Sequence, residues 1–160
     1  MKPSKIRVTA DEVTYSLHVI IRFEIERDLS EEKITVDELP TIWNQKYKEY
    51  LGVDIEDDSE GVMQDTHWAA GLFGYFPTYA IGNIYNAHQL HVIRKEIPNY
   101  DELVRAGNIK PILDWLTEKV HKPACLYDPA DLMQRITNEP INTKYFIEYC
   151  YNKYSQLYGF

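Results

Sequence analysis

The stretch Gly61–Trp68, GVMQDTHW, sets Gln64, Asp65 and His67 beside Trp68. Asp65 could orient the His67 imidazole or accept from a substrate amine. On a helix Gln64 would project near Trp68 at i+4. The next stretch, GLFGYFPTY from Gly71 to Tyr79, packs two glycines, four aromatic residues and a proline together. Gly71 and Gly74 permit close backbone approach, and Pro77 is placed to start the following helix. Tyr75 and Tyr79 stand one helical turn apart, each with a phenol able to donate to an oxyanion. The same spacings also suit a blander arrangement. Trp68 would then belong to the core, Gln64 and Asp65 would tie down helix ends, and the aromatic residues would line a helix junction.

A second polar group lies nearer the N-terminus. If residues Ser4 to Leu29 form one helix, Arg7, Asp11, Thr14, His18 and Arg22 fall in a single sector of it. Ile6, Ala10, Val13, Leu17, Ile20 and Ile21 flank that line on one side. Val8, Tyr15 and Val19 flank it on the other, while Thr9, Glu12 and Ser16 supply a solvent face. Apolar residues on both edges predict that Arg7, Asp11 and His18 point into a polar cavity, where each charge needs a partner or a ligand. The alternative is a surface line of ion pairs, Arg7 with Asp11 and His18 with Arg22.

Other chemistries lack their residues. His88 and His91 form HxxH with Asp101 and Glu102 not far along the chain, but no HExxH or other strong ligand pattern occurs, and this pair is expected on or near a helix surface. Zinc ligation by His88 and His91 alone is a remote third reading. There is no G-x-S-x-G elbow, no phosphate-binding loop and no dinucleotide fingerprint. Cys125 and Cys150 lie far apart without CxxC spacing and are expected as reduced, buried thiols. What remains is the kind of group that holds a substrate.

The elements that must position these residues read as all-α, because no segment alternates at period two for long. The first helix covers Ser4 to Leu29, and the second covers Pro40 to Tyr50, stopped by Gly52. An acidic connector, Asp54 to Gly61, follows. The third segment, Val62 to Ile97, is expected to be helical on both sides of the glycine-rich break. A fourth, Tyr100 to Val120, breaks near Gly107. A short helix opens at Asp128 with Pro129 in its first position, and the last helix fills Thr143 to Leu157. Length suggests one domain: 160 residues, 44% hydrophobic. The net charge of -8 argues against nucleic acid and anionic membrane surfaces as partners. No run reaches the ~18 apolar residues of a membrane span, and the first residues lack a signal-peptide core, so a cytoplasmic location is expected.

Taken in order, I6-R-V-T-A-D-E12 with T14-Y-S-L-H18, G61-V-M-Q-D-T-H-W68 and G74-Y-F-P-T-Y79 resemble the C-terminal motifs of the carboxypeptidase Taq family of zinc metallocarboxypeptidases. The tail agrees, through Y127-D-P-A-D-L132, T137-N-E-P-I141 and K153-Y-S-Q-L-Y-G159. The resemblance implies a large helical enzyme, often a homodimer, that removes single residues from the free C-termini of peptides. It implies zinc or another divalent metal in the full-length enzyme, bound by the histidines of an HExxH motif and a downstream Glu, with none expected on this chain. Those motifs precede the IRxxAD segment in the family. Residues 1–160 are therefore expected to be the C-terminal helical region, inactive without the missing N-terminal catalytic region. By position, Arg7 would meet the substrate carboxylate, Asp11 would orient it, and His18 would face the same cavity. His67, with Gln64, Asp65 and Trp68, would line the subsites, and Tyr75 or Tyr79 would donate to the oxyanion. A stand-alone helical binding or assembly protein that kept the fold without its chemistry is the other expectation.

Overall fold

The computed structural model describes residues 2–160, and among these the secondary structure is entirely helical. The chain divides into two compact units, one ending at Ile81 and the other running from Gly82 to Phe160.

In the first unit, α1 (Tyr15–Ser30) begins later than its apolar pattern suggests. Residues Arg7–Thr9 form only a 3-10 turn. The reason is Asp11, whose Oδ1 accepts the N–H groups of Val13 and Thr14 at 3.0 Å each while Oδ2 accepts the Thr14 hydroxyl at 3.0 Å. A carboxylate bonded to its own following amides favours a start over a continuing helix. The expected single helix from Ser4 is thereby divided, and Arg7 and Asp11 leave the helical line.

A 3-10 turn, Val36–Glu38, leads into α2 (Leu39–Leu51). Glu38 reaches back to accept from the Thr35 N–H at 2.9 Å and its hydroxyl at 2.7 Å. Gly52, at φ +69°, closes the helix with its N–H on Lys48. The core of this unit gathers Ile21 and Ile25 of α1 with Trp43, Tyr47 and Leu51 of α2. Trp43 and Tyr47 stack at 5.1 Å, and Trp68 meets Trp43 edge-on at 6.2 Å.

The flank expected to be helical before the glycine-rich break is a series of turns instead, and the next helix, α3 (Pro77–Glu96), begins at Pro77 as the sequence suggests. The side chains explain the difference: Gln64 and Asp65 are spent on distant groups, described below. Gly71 and Gly74 have φ of +75° and +76°, and a Cβ built on either meets nothing within 4 Å. They serve backbone conformation, not the close approach expected of them.

The second unit holds most of α3 with α4 (Tyr100–Arg105), α5 (Lys110–Leu116), α6 (Pro129–Thr137) and α7 (Lys144–Tyr158). Gly107, at φ +69°, makes the anticipated break, and α5 passes into a π-helical turn, Thr117–His121. Asp128 takes the extended N-cap conformation before Pro129 but makes no side-chain cap bond. Ile93, Trp115 and Ile136 form the buried core. His88 is wholly buried, not near the surface, with Nε2 3.2 Å from Glu139 and its ring stacked on Tyr145 at 4.3 Å. Cys125 is exposed and Cys150 half-buried, contrary to the expectation of two buried thiols. No helix among the described residues is long and apolar enough to cross a membrane.

Candidate functional site

Asp65 is the hinge of the site. Its Oδ1 takes the Arg7 Nη2 at 2.7 Å and Nε at 3.2 Å, and its Oδ2 takes the Arg22 Nε at 2.6 Å. Burial alone would raise the Asp65 pKa, but the two guanidinium groups outweigh it and hold the carboxyl below its ordinary range. Burial would likewise lower Arg7, and Asp65 together with Tyr15 reverses that. One carboxylate thus lies between two cations, all three side chains at most 10% exposed. This arrangement leaves net positive charge in a low-dielectric place, where charge is costly and acts strongly.

The two arginines differ. Arg22 is fully enclosed: Nη1 donates to the His18 carbonyl at 2.8 Å and to the Tyr47 hydroxyl at 3.1 Å, and the guanidinium lies 4.5 Å over the Trp43 ring. Arg7 sits at the edge, with Nη1 on the Tyr15 hydroxyl at 3.1 Å and its guanidinium 5.0 Å over the Tyr79 ring. Gln64 fixes the backbone that carries it. Its Oε1 accepts the Arg7 N–H at 2.9 Å, and its Nε2 donates to the carbonyls of Lys5 and Glu60.

His67 Nε2 lies 3.0 Å from the Tyr79 hydroxyl. Its Nδ1 is buried without a hydrogen bond, 3.8 Å from Asp65. The ring packs 4.4 Å from Phe76 and 5.8 Å from Tyr75, and Tyr75 meets Tyr79 edge-on at 5.4 Å. Tyr75 is 42% exposed, and among the described residues its hydroxyl carries no hydrogen bond.

Most of the residues singled out from sequence therefore meet: Arg7, Gln64, Asp65, His67, Tyr75 and Tyr79. Asp11 does not join them, because its carboxylate is committed to the start of α1. His18 is enclosed below the site, bonded through Nδ1 to the Tyr47 hydroxyl at 3.1 Å. Its pKa is pushed down to about 4 by burial and then by Arg22 and Arg7, so the ring is neutral at pH 7. Trp68 packs with Trp43 and Phe76 as part of the wall. The sequence sets Arg22 on the polar line without a substrate role and does not mark Tyr15, Tyr47 or Glu26, a buried residue whose carboxylate accepts the Gly74 N–H. Glu26 continues the line one turn past Arg22 and could have been found by extending it. Nothing in the spacing marks Tyr15 or Tyr47.

The chain belongs to the carboxypeptidase Taq (M32) metallopeptidase family, which matches residues 1–154. It is similar to carboxypeptidase 1 of Bacillus subtilis, 48% identical over 157 residues, covering 98% of this chain and 31% of that protein. Thermostable carboxypeptidase 1 of Thermus thermophilus is 42% identical over 159 residues, covering 99% and 31%. Among solved structures, the M32 carboxypeptidase from Deinococcus radiodurans R1 superposes with a TM-score of 0.97 at 33% identity, covering 100% of this chain and 32% of that one. The chain spans about 31% of the length of the curated relatives it matches.

Proposed function

We propose that these residues form the substrate-binding part of a metal-dependent carboxypeptidase, with Arg7 receiving the free carboxylate at a peptide's C-terminus. The observation that carries this reading is the state of the Arg7 guanidinium. It is 8% exposed and braced by Asp65 and Tyr15. Of the five N–H donors of a guanidinium, Asp65 and Tyr15 engage three, leaving one on each terminal nitrogen to donate to a carboxylate. Arg22 cannot serve, since it is fully buried.

Tyr75 is the donor to the oxyanion that forms at the scissile carbonyl. Its phenol is exposed and uncommitted, whereas the Tyr79 hydroxyl is engaged by His67. His67 and Tyr79 hold each other and wall the subsite next to Arg7. Asp65 keeps Arg7 oriented, and His18, being neutral, adds no repulsion beneath it.

The metal implied by the family supplies Lewis acidity and an activated water when bound. Among the described residues no three His, Cys, Asp or Glu side chains converge as ligands would. The part of the reaction assigned to these residues is substrate binding and hydrogen bonding. On this reading the 160 residues alone do not hydrolyse peptides. In the complete enzyme that carries them, Arg7→Ala lowers kcat/KM on free-carboxylate peptides by about a hundredfold, as for loss of a desolvated charge pair. Unchanged kinetics would remove Arg7 from the role.

A further inference from the structure

We propose that Glu26 is a positioning residue, which fixes Tyr75 by holding the N–H of Gly74; the proposal rests on the reading of Tyr75 as the oxyanion donor. Glu26 follows Arg22 by one turn on α1 and is 6% exposed. Among the described residues it has no ion pair, because Arg22 is turned to Asp65. One carboxylate oxygen accepts the Gly74 N–H, and the other is buried without a hydrogen bond. A carboxylate placed this way is costly, and the same helix position beside Ile25 would hold an apolar residue at less cost.

What the carboxylate contributes is a fixed acceptor on the N-terminal side of Tyr75; on the other side the Tyr75 carbonyl accepts the Thr78 N–H at 3.1 Å and the Thr78 hydroxyl at 2.7 Å. Gly74 lies outside the helices, in the left-handed region at φ +76°, and α3 begins at Pro77, which has no N–H to offer. Two residues on, Phe76 is 1% exposed under the His67 ring. The turn is thus pinned at Gly74 by Glu26, at the Tyr75 carbonyl by Thr78 and at Phe76 by packing, and only the Glu26 contact fixes the chain entering Tyr75. Loosening the first pin lets the phenol drift while the binding of the substrate carboxylate at Arg7 is untouched.

The test uses the complete enzyme with Glu26→Ala, Glu26→Gln, Tyr75→Phe and the double variant Glu26→Ala/Tyr75→Phe, with amide exchange at Gly74 followed in parallel. Glu26→Ala is expected to lower kcat by about tenfold to a hundredfold with KM nearly unchanged, the size of loss that misplacing a reacting group produces. Glu26→Gln, which keeps the acceptor oxygen, recovers most of that activity. In the Tyr75→Phe background Glu26→Ala adds less than about a twofold loss, because both changes act through one phenol. Protection of the Gly74 amide falls in Glu26→Ala and is kept in Glu26→Gln.

An equal loss in both backgrounds, no rescue by Gln, or undiminished Gly74 protection in Glu26→Ala would overturn the proposal. If Tyr75→Phe costs nothing, or the unaltered enzyme cleaves no peptide, the reading of the site falls instead. Amide exchange then still decides whether Glu26 holds the turn.

Discussion

His18 shows how one buried side chain ties stability to pH. Its pKa of about 4 in the folded chain lies below the 6.5 of a free imidazole, because burial and then the two arginines disfavour the cation. Between those values the unfolded chain binds the proton and the folded chain does not. His18 therefore carries no protonation penalty at pH 7, and its neutral form withdraws stability as pH falls from 6.5 towards 4, at about 1.4 kcal/mol per pH unit. Asp65 works in a lower window. Its depressed pKa gives stability that is present above the ordinary carboxyl value and lost as pH drops below it. Urea denaturation at pH 7, 5.5 and 4.5 should show the difference between the unaltered protein and His18→Gln narrowing as pH falls. A pH-independent difference would mean that the imidazole protonates in place.

At the scale of elements, glycines at similar positive φ do different work. Gly52 ends α2 at +69° and Gly74 turns the chain at +76°, and a Cβ on either meets open space. Alanine at each should cost about 1 kcal/mol of conformational strain in thermal unfolding, and asparagine less. Gly74→Ala should also lower kcat through Tyr75, whereas Gly52→Ala should leave it unchanged. Equal kinetics for the two would separate the turn from catalysis.

The helix ends show what could be read in advance. Gly52 and Pro77 were legible because their backbone limits act locally. The start of α1 was not, because hydrophobic spacing continues through residues 6–13 while Asp11 bonds to its own neighbours and stops the helix. The supposed helix at residues 62–70 failed for a related reason. Gln64 and Asp65 are held by Lys5, Arg7 and Arg22, partners far away in sequence that no local pattern reveals. The types of the site residues were visible, but their pairing was not. Arg7 was expected to lean on Asp11 and instead leans on Asp65.

For the molecule as a whole, the site described lies within the first unit, every residue of it at or before Tyr79. The second unit has its own core and its own polar contact, between buried His88 and part-exposed Glu139. The net charge of -8 makes Arg7, with its partner Arg22 enclosed behind Asp65, a local exception that favours an anion. On the proposed reading Arg7 meets a peptide's terminal carboxylate. The most direct test of that reading is the ratio of inhibition constants for one peptide as the free acid and as the C-terminal amide, measured on the complete enzyme and on Arg7→Ala. The free acid is expected to bind about a hundredfold better to the unaltered enzyme, the scale of a buried charge pair, and Arg7→Ala is expected to abolish the preference. A preference that survives Arg7→Ala undiminished would contradict the reading.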